Sequence, residues 1–541
     1  MEPSPAAGEL GAMLRAAADF ASYPGLHSDD TVRQFLERCP LPKLLGALQS
    51  EADVPGMVET VTECLDKIFS SRYGASLLPS YGAFIQAGLL TDSKQIRKLA
   101  CKAVLHLLDK AEDGAAVETV VQHNLFPLMI NCLIEGDEEI SAIILDTVKR
   151  LAQIPKGAEV IFPPDGQGSV QLGKVAAQSS SLPRIRILSL IAKLFTVSSY
   201  TASAIRDTNL LSIFEEEIKD TRDMLKTLSA LEVLYELVEH PHSNIFLLKT
   251  NLLQLIVDII NDSSADSVIR SRAALISGRL LSSADAFTAI DKSFFLHVKL
   301  DRHVNQDFPM LGVTNLLVAI DKILKMEESQ NTDEIESALE TLGLIGTTSQ
   351  GAHFLLTSSN VARHVVKSSF DRQGRGRQLA ALHAFGSICG MDRQEDQMKL
   401  DDEAEGNLKR LVYTTAANSP KLTPSAALLS ILQQDPDIRI AGYRVISGLV
   451  IREWCLREVC LNSEIIRFVT DPTMETTKLG MEARYNCCVA INKALSSSHL
   501  LHEASLSGLI GKLNDAVKRG PYLSERKRVE ARPVVDTAER F

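Results

Sequence analysis

A chain of 541 residues is too long for one compact core, so it is either several domains or an array of repeats. Apolar residues make up 45 % and charged residues 23 %, proportions of a globular sequence, and the net charge of −11 argues against a general binder of nucleic acid, which would carry surplus Lys and Arg. The opening Met1-Glu-Pro-Ser-Pro-Ala-Ala-Gly lacks the basic and apolar parts of a secretory signal, and no stretch approaches the ~20 apolar residues of a membrane span, so a soluble cytoplasmic protein is expected, with the nucleus also open to it.

Residues 1–50 hold amphipathic helices that match nothing later in the chain and read as an N-terminal cap. From residue 51 the same helical pattern returns at a nearly constant interval. Taking Leu342 as reference, equivalent positions are Val61, Val104, Val148, Ile191, Leu234, Ser277, Phe385, Ile446 and Ile491. Most steps are 43 to 45 residues, inside the ~40–47 expected of HEAT and armadillo units. Small residues four places earlier, Ala100, Ala230, Ala273, Ala338 and Ala381, leave room for close helix packing. The clearest unit runs Asp333-Glu-Ile-Glu-Ser-Ala-Leu-Glu-Thr-Leu-Gly-Leu-Ile-Gly346, where Ala338, Leu339, Leu342 and Ile345 line one helix face and Gly346 to Gly351 break it.

Between these helices lies another, entered at Asn124, Asn209 and Asn251, each a helix-capping residue ahead of an apolar stripe. Turns at Gly157, Pro241 and Gly351 complete the armadillo layout of a short helix followed by two longer ones. The steps from Ser277 to Leu342 and from Phe385 to Ile446 carry about twenty surplus residues each. Extra helices are therefore expected near 285–330 and 391–435, the first including Phe294 to Leu300. The array ends near 519, and residues 520–541 read as a disordered, locally basic tail.

Several patterns suggest chemistry and have plainer readings. Gly168-Ser-Val-Gln-Leu-Gly-Lys174-Val175 copies the spacing of a phosphate loop but has Val where Ser or Thr must hold magnesium, and it lacks a preceding strand; it reads as a surface loop. Nine cysteines contain no Cys-x-x-Cys pair and sit in apolar patterns, as buried reduced thiols do. Neither a His-Glu-x-x-His nor a Gly-x-Ser-x-Gly motif occurs, so no enzyme activity, metal or cofactor is expected.

An arginine stands seven residues before the reference at Arg97, Arg184, Arg270, Arg439 and Arg484, with Asp92, Asp266, Asp435 and Asp437 ahead of several of them. An Asp–Arg ladder between successive turns is the expectation. Two residues after the reference come His106, Arg150, Lys193, Glu236 and Arg279. If these helices line the inner face, His106, Arg150, Lys193 and Arg279 form a stripe able to meet an acidic protein surface; the plainer reading is a solvated helix face. The positions one before the reference are Ala103, Thr147, Leu190, Val233, Ile276, Thr341, Ala384, Val445 and Ala490. Peptide-gripping armadillo proteins carry Asn there, so a folded partner is expected here in place of an extended peptide.

The repeat train, the two long steps, Ala338-Leu-Glu-Thr-Leu-Gly-Leu-Ile-Gly-Thr-Thr-Ser-Gln-Gly351 and Gly520-Pro-Tyr522 together resemble the 26S proteasome non-ATPase regulatory subunit 5 family, from about Leu48 to Tyr522. The resemblance implies an all-α, armadillo/HEAT-like α-solenoid, a right-handed and C-shaped superhelix that is monomeric by itself. It further implies a chaperone for assembly of the proteasome regulatory particle base. Its concave face would hold the C-terminal domain of one base ATPase, within a module containing a second ATPase and a large scaffold subunit, and it would leave before the mature particle forms. The alternative is an armadillo scaffold or transport adaptor unrelated to the proteasome.

Overall fold

The computed structural model describes residues 5–49, 55–163, 167–178, 180–219, 223–248, 250–288, 308–326, 332–358, 360–372, 374–503, 506 and 508–522. Among them every regular element is a helix, so the all-α repeat architecture anticipated from the periodicity is the one observed. The chain divides into two compact units, residues 1–246 and 247–541.

In the first unit, Met57–Phe69, Lys94–Lys110, Glu138–Gln153, Ser181–Phe195 and Met224–Leu237 stack side by side, with Pro5–Ala21 packed on the outermost of them. In the second unit the corresponding stack is Ser267–Leu280, Thr332–Ile345, Arg375–Cys389, Pro436–Leu449 and Lys478–Ser496, closed by Leu509–Arg519. All ten reference positions lie on these stacking helices, and each is fully buried. The 43–45-residue interval is therefore the interval between successive stacking helices, and removing each apolar reference side chain from water contributes on the order of 1.5–3 kcal/mol.

Most stacking helices are preceded by a shorter pair, as in Asp113–Gln122 and Leu125–Glu135 before the Glu138 helix, or Ser349–Ser358 and Val361–Phe370 before the Arg375 helix; Thr332–Ile345 and Pro436–Leu449 instead have the longer helices Phe308–Leu324 and Asp402–Ala417 ahead of them. The residues linking such pairs differ from the expected caps. Asn124 and Asn209 adopt the left-handed conformation, at φ 48° and 56°, and the side chains of Asn124 and Asn251 make no capping bond. They end one helix and redirect the chain into the next, a geometry Asn tolerates better than most residues. Gly157 and Gly351 are likewise helical residues and not turns. Each lies where a short helix crosses the end of the preceding stacking helix, and a β-carbon there would fall 2.2 Å from the Leu151 carbonyl oxygen and 1.9 Å from that of Ile345.

The stretch with phosphate-loop spacing is helical, Gln167–Gln178, which corrects its reading as a loop. Leu172 and Ala176, one turn apart, are both fully buried, so the segment is held by an apolar face that its glycines do not interrupt. In the two long steps the described residues include helices Phe308–Leu324 and Asp402–Ala417; Phe294 to Leu300, and the tail from residue 523 on, lie outside the described residues. All nine cysteines are buried free thiols, and burial pushes those of Cys64, Cys389 and Cys487 up to about 12, where they are unreactive. No helix among the described residues is long and apolar enough to cross a membrane.

Candidate partner-binding face

Two charged systems run across the stacks. The first is built on the recurrent arginine, and its partners differ from those the sequence suggested. Asp266 and Asp435 do not pair with Arg270 and Arg439: each caps its own helix, accepting from the backbone N–H of Val268 at 2.8 Å and of Ile438 at 3.3 Å. Asp92 is 3.9 Å from Arg97, whose guanidinium donates instead to the Thr91 carbonyl at 2.9 and 2.6 Å.

The arginines do two jobs at once. They donate to carbonyls at the end of the preceding helix or in the connection after it: Arg184 to Ala176 at 2.9 Å, Arg270 to Ala265 at 2.8 Å, Arg439 to Gln434 at 2.9 Å and Arg484 to Val469 at 2.8 Å. Three also reach a buried glutamate of the next repeat, Arg184 to Glu217 at 2.5 Å, Arg270 to Glu334 at 2.5 Å, and Arg439 to Glu475. The three glutamates are 1–2 % exposed, so the pairing compensates a desolvation that neither charge could bear alone. This is an Arg–Glu lattice holding repeat to repeat. Sequence reading missed the glutamates because they stand 33 to 64 residues beyond their arginines with no common offset, Glu217 near a helix end, Glu334 in a first turn and Glu475 in a connection.

The second system contains the stripe. In the first unit His106, Arg150 and Lys193 lie on three successive stacking helices, and each meets an acid of the helix before it. His106 Nε2 is 3.3 Å from Asp66, Arg150 Nε is 3.0 Å from Asp109, and Lys193 Nζ is 3.4 Å from Asp146. Lys102 joins Asp66 at 2.6 Å, and Lys98 reaches forward to Glu139 at 2.5 Å. Burial alone would raise Asp66, but the hydrogen bonds from His106 and Lys102 outweigh it and hold the carboxyl below its ordinary range. The stripe is thus a zipper in which basic and acidic side chains alternate, each partly exposed. Arg279, in the second unit, is half-buried and also engaged.

The positions where peptide-gripping relatives carry Asn are used differently. Ala103, Thr147, Leu190, Val233, Ile276, Thr341, Ala384 and Val445 are all buried, and Ala490 is half-buried. The reason is visible in the second unit, where Thr341 and Ala384 press against Gly278 and Gly343 of the adjacent helix so closely that a β-carbon on either glycine would lie 3.0 Å from the opposing Cα. A side chain there packs between helices and does not point at a ligand.

The family described as Proteasome non-ATPase 26S subunit matches residues 30–272. The chain is 19 % identical to the 26S proteasome non-ATPase regulatory subunit 5 of Bos taurus over 447 residues, covering 81 % of this chain and 80 % of that protein. The Homo sapiens protein of the same name is 19 % identical over 448 residues, with 81 % and 80 % covered. Among solved structures, an engineered protein aligns over 88 % of this chain and 98 % of its own at 14 % identity and a TM-score of 0.40. A designed armadillo repeat protein in complex with a (KR)4 peptide aligns over 42 % and 95 % at 15 % identity and a TM-score of 0.31.

Proposed function

We propose, from its likeness to the 26S proteasome non-ATPase regulatory subunit 5 proteins, that this chain is a chaperone for assembly of the proteasome regulatory particle base. In this reading it binds the C-terminal domain of a base ATPase subunit, in a precursor module with a second ATPase and a large scaffold subunit, and departs before the particle is complete. It acts by binding and not by catalysis. The observation that carries the proposal is the likeness spread over four-fifths of the chain, which a shared repeat pattern confined to a few units would not produce.

The physical account is one of occlusion. A solenoid offers a long surface built from neighbours in sequence, and a guest held there cannot make the contacts that surface covers. The stripe at His106, Arg150, Lys193 and Arg279 is the proposed contact for that guest. Ion pairs that remain half-exposed are worth little individually, so their cations can exchange an internal carboxylate for one on a partner at small cost. The buried positions from Ala103 to Val445 favour a folded guest over an extended peptide.

Affinity purification of the native complex followed by crosslinking mass spectrometry tests this. Free base ATPase precursors crosslinked beside Arg150 and Lys193 support the proposal, and the double charge reversal Arg150→Glu with Lys193→Glu should release them. Recovery of mature particles only, or of transport cargo without any ATPase, would refute it.

A further inference from the structure

A second surface, in unit 2, has the makings of a binding site without reference to the ATPase reading. Helix Asp402–Ala417 turns Lys409, Arg410 and Tyr413 to solvent on one face. The Tyr413 ring lies 5.6 Å from that of Trp454, and its hydroxyl donates to Glu458 Oε1 at 3.1 Å. The other oxygen of Glu458 accepts from the Ser425 hydroxyl at 2.9 Å, which fixes the start of helix Pro424–Leu432 and, with it, the loop carrying Lys421 and Leu422. The aromatic pair and the loop are thereby locked together through one carboxylate.

Two features of this surface are not explained by folding. Leu422 is 68 % exposed and held at φ 64°, a left-handed conformation that a leucine adopts only at an energetic cost, so the fold strains an apolar side chain in order to present it to water. Lys409, Arg410 and Lys421 have no ion-pair partner among the described residues, whereas the surrounding Arg444, Arg452, Arg457 and Lys493 are all paired. Unsatisfied positive charge around an aromatic and aliphatic centre is complementary to carboxylates around an apolar side chain.

We propose that the face formed by Lys409, Arg410, Tyr413, Lys421, Leu422 and Trp454 docks an acidic polypeptide segment bearing an aliphatic anchor. The anchor packs on Leu422 and the exposed edges of the two rings, and its flanking carboxylates meet the three cations. A nucleic acid would bring phosphates to the same three cations but no aliphatic side chain to Leu422, and the oligothymidylate probe below separates the two.

The chain contains one tryptophan, so the emission of Trp454 reads occupancy of this face directly in the full-length protein. The probes are a short synthetic peptide of alternating Asp/Glu and Leu, the same peptide with Ser for Leu, the same with Lys for the acids, and an oligothymidylate. The acidic leucine peptide should change the Trp454 emission saturably, and Arg410→Glu, at an exposed position, should weaken it about tenfold or more. Lys322→Glu, at an exposed cation elsewhere in the unit, should leave the affinity as it was. The proposal is overturned by no response to the acidic leucine peptide, by an equal response to any of the other three probes, or by an affinity indifferent to Arg410→Glu.

Discussion

Gly343 and Ala384 meet where two successive stacking helices touch, so closely that a β-carbon on the glycine would lie 3.0 Å from the Ala384 Cα and 3.3 Å from its β-carbon. Gly278 and Thr341 repeat the arrangement one helix earlier. The contact sets the distance between repeats, and nothing in it is flexible enough to yield. Gly343→Val should therefore destabilise the second unit by about 2 kcal/mol through overpacking, seen as a lower urea midpoint with an unchanged slope. An unchanged midpoint would mean that the helices can separate freely and that the glycine does not set their spacing.

The Arg270–Glu334 bond gives a sharper test, because the two routes to removing it differ in cost. Glu334→Ala leaves the guanidinium beside the Asp262 and Ala265 carbonyls in a site where Arg270 is 12 % exposed, without a carboxylate partner among the described residues, and should cost about 3 kcal/mol. Replacing both partners, Arg270→Met with Glu334→Leu, removes the stranded charge and should recover most of that loss. A double variant as unstable as the single one would show that the pair is a net source of stability and not merely a compensated burial.

These two contacts mark what could be read in the sequence. The apolar reference positions and the small residues four places before them announce themselves by period alone, because a stacked helix must bury the same face every 43 to 45 residues. Arg270 was visible for the same reason. Glu334 was not: in sequence it is an ordinary acid in a helix's first turn, and only the return of the next stacking helix brings it 2.5 Å from Arg270. Asp266 was misread as the partner because an acid ahead of an arginine has the same spelling whether it caps a helix or bridges to a side chain. The stripe was legible as basic residues at His106, Arg150 and Lys193, but its acids belong to the preceding repeat: Asp66 and Asp109 each stand five residues past a reference position and Asp146 two before one, and only the stacking of helices brings each to its partner.

Stability should fall as pH is lowered, in two stages carried by neighbouring groups. Burial, reinforced by the Arg444 cation, holds His383 below its ordinary range, so on the way down through ~6.5 the unfolded chain takes up a proton that the folded chain refuses, and stability drops. Asp392 titrates later. Burial would raise it, but the hydrogen bonds from Arg444 at 2.5 and 2.6 Å outweigh that, and the stability it contributes is lost only as pH falls below its ordinary value of 3.8. Urea midpoints measured across the pH range should show His383→Gln flattening the upper stage alone and Asp392→Asn the lower. A midpoint that rose on acidification through the upper stage would contradict the assignment of a neutral, buried His383.

Arg452 ties the helix Asp402–Ala417, which lies in the second long interval, to the stack. Its guanidinium is 3 % exposed and clasps both oxygens of Glu405 at 2.7 and 2.9 Å, and it donates to the Gly448, Cys389 and Met398 carbonyls at 2.7, 3.1 and 3.2 Å. Five bonds in a fixed planar fork are beyond an ammonium, so Arg452→Lys keeps the charge and still loses the geometry. The expected cost is about 2 kcal/mol, from carbonyls and a carboxylate left short of donors in a dry site. Because the arginine joins the inserted segment to the stack while the stack is held by its own apolar contacts, the effect should be local. Hydrogen exchange should quicken across residues 392–417 and stay slow in the Pro436–Leu449 helix. Uniform acceleration through both would show instead that the insertion is part of the repeat core. The consequence reaches function, since Lys409, Arg410 and Tyr413 ride on the same helix: a chain that carries Arg452→Lys should lose affinity for the acidic leucine peptide although none of the residues facing that peptide has changed.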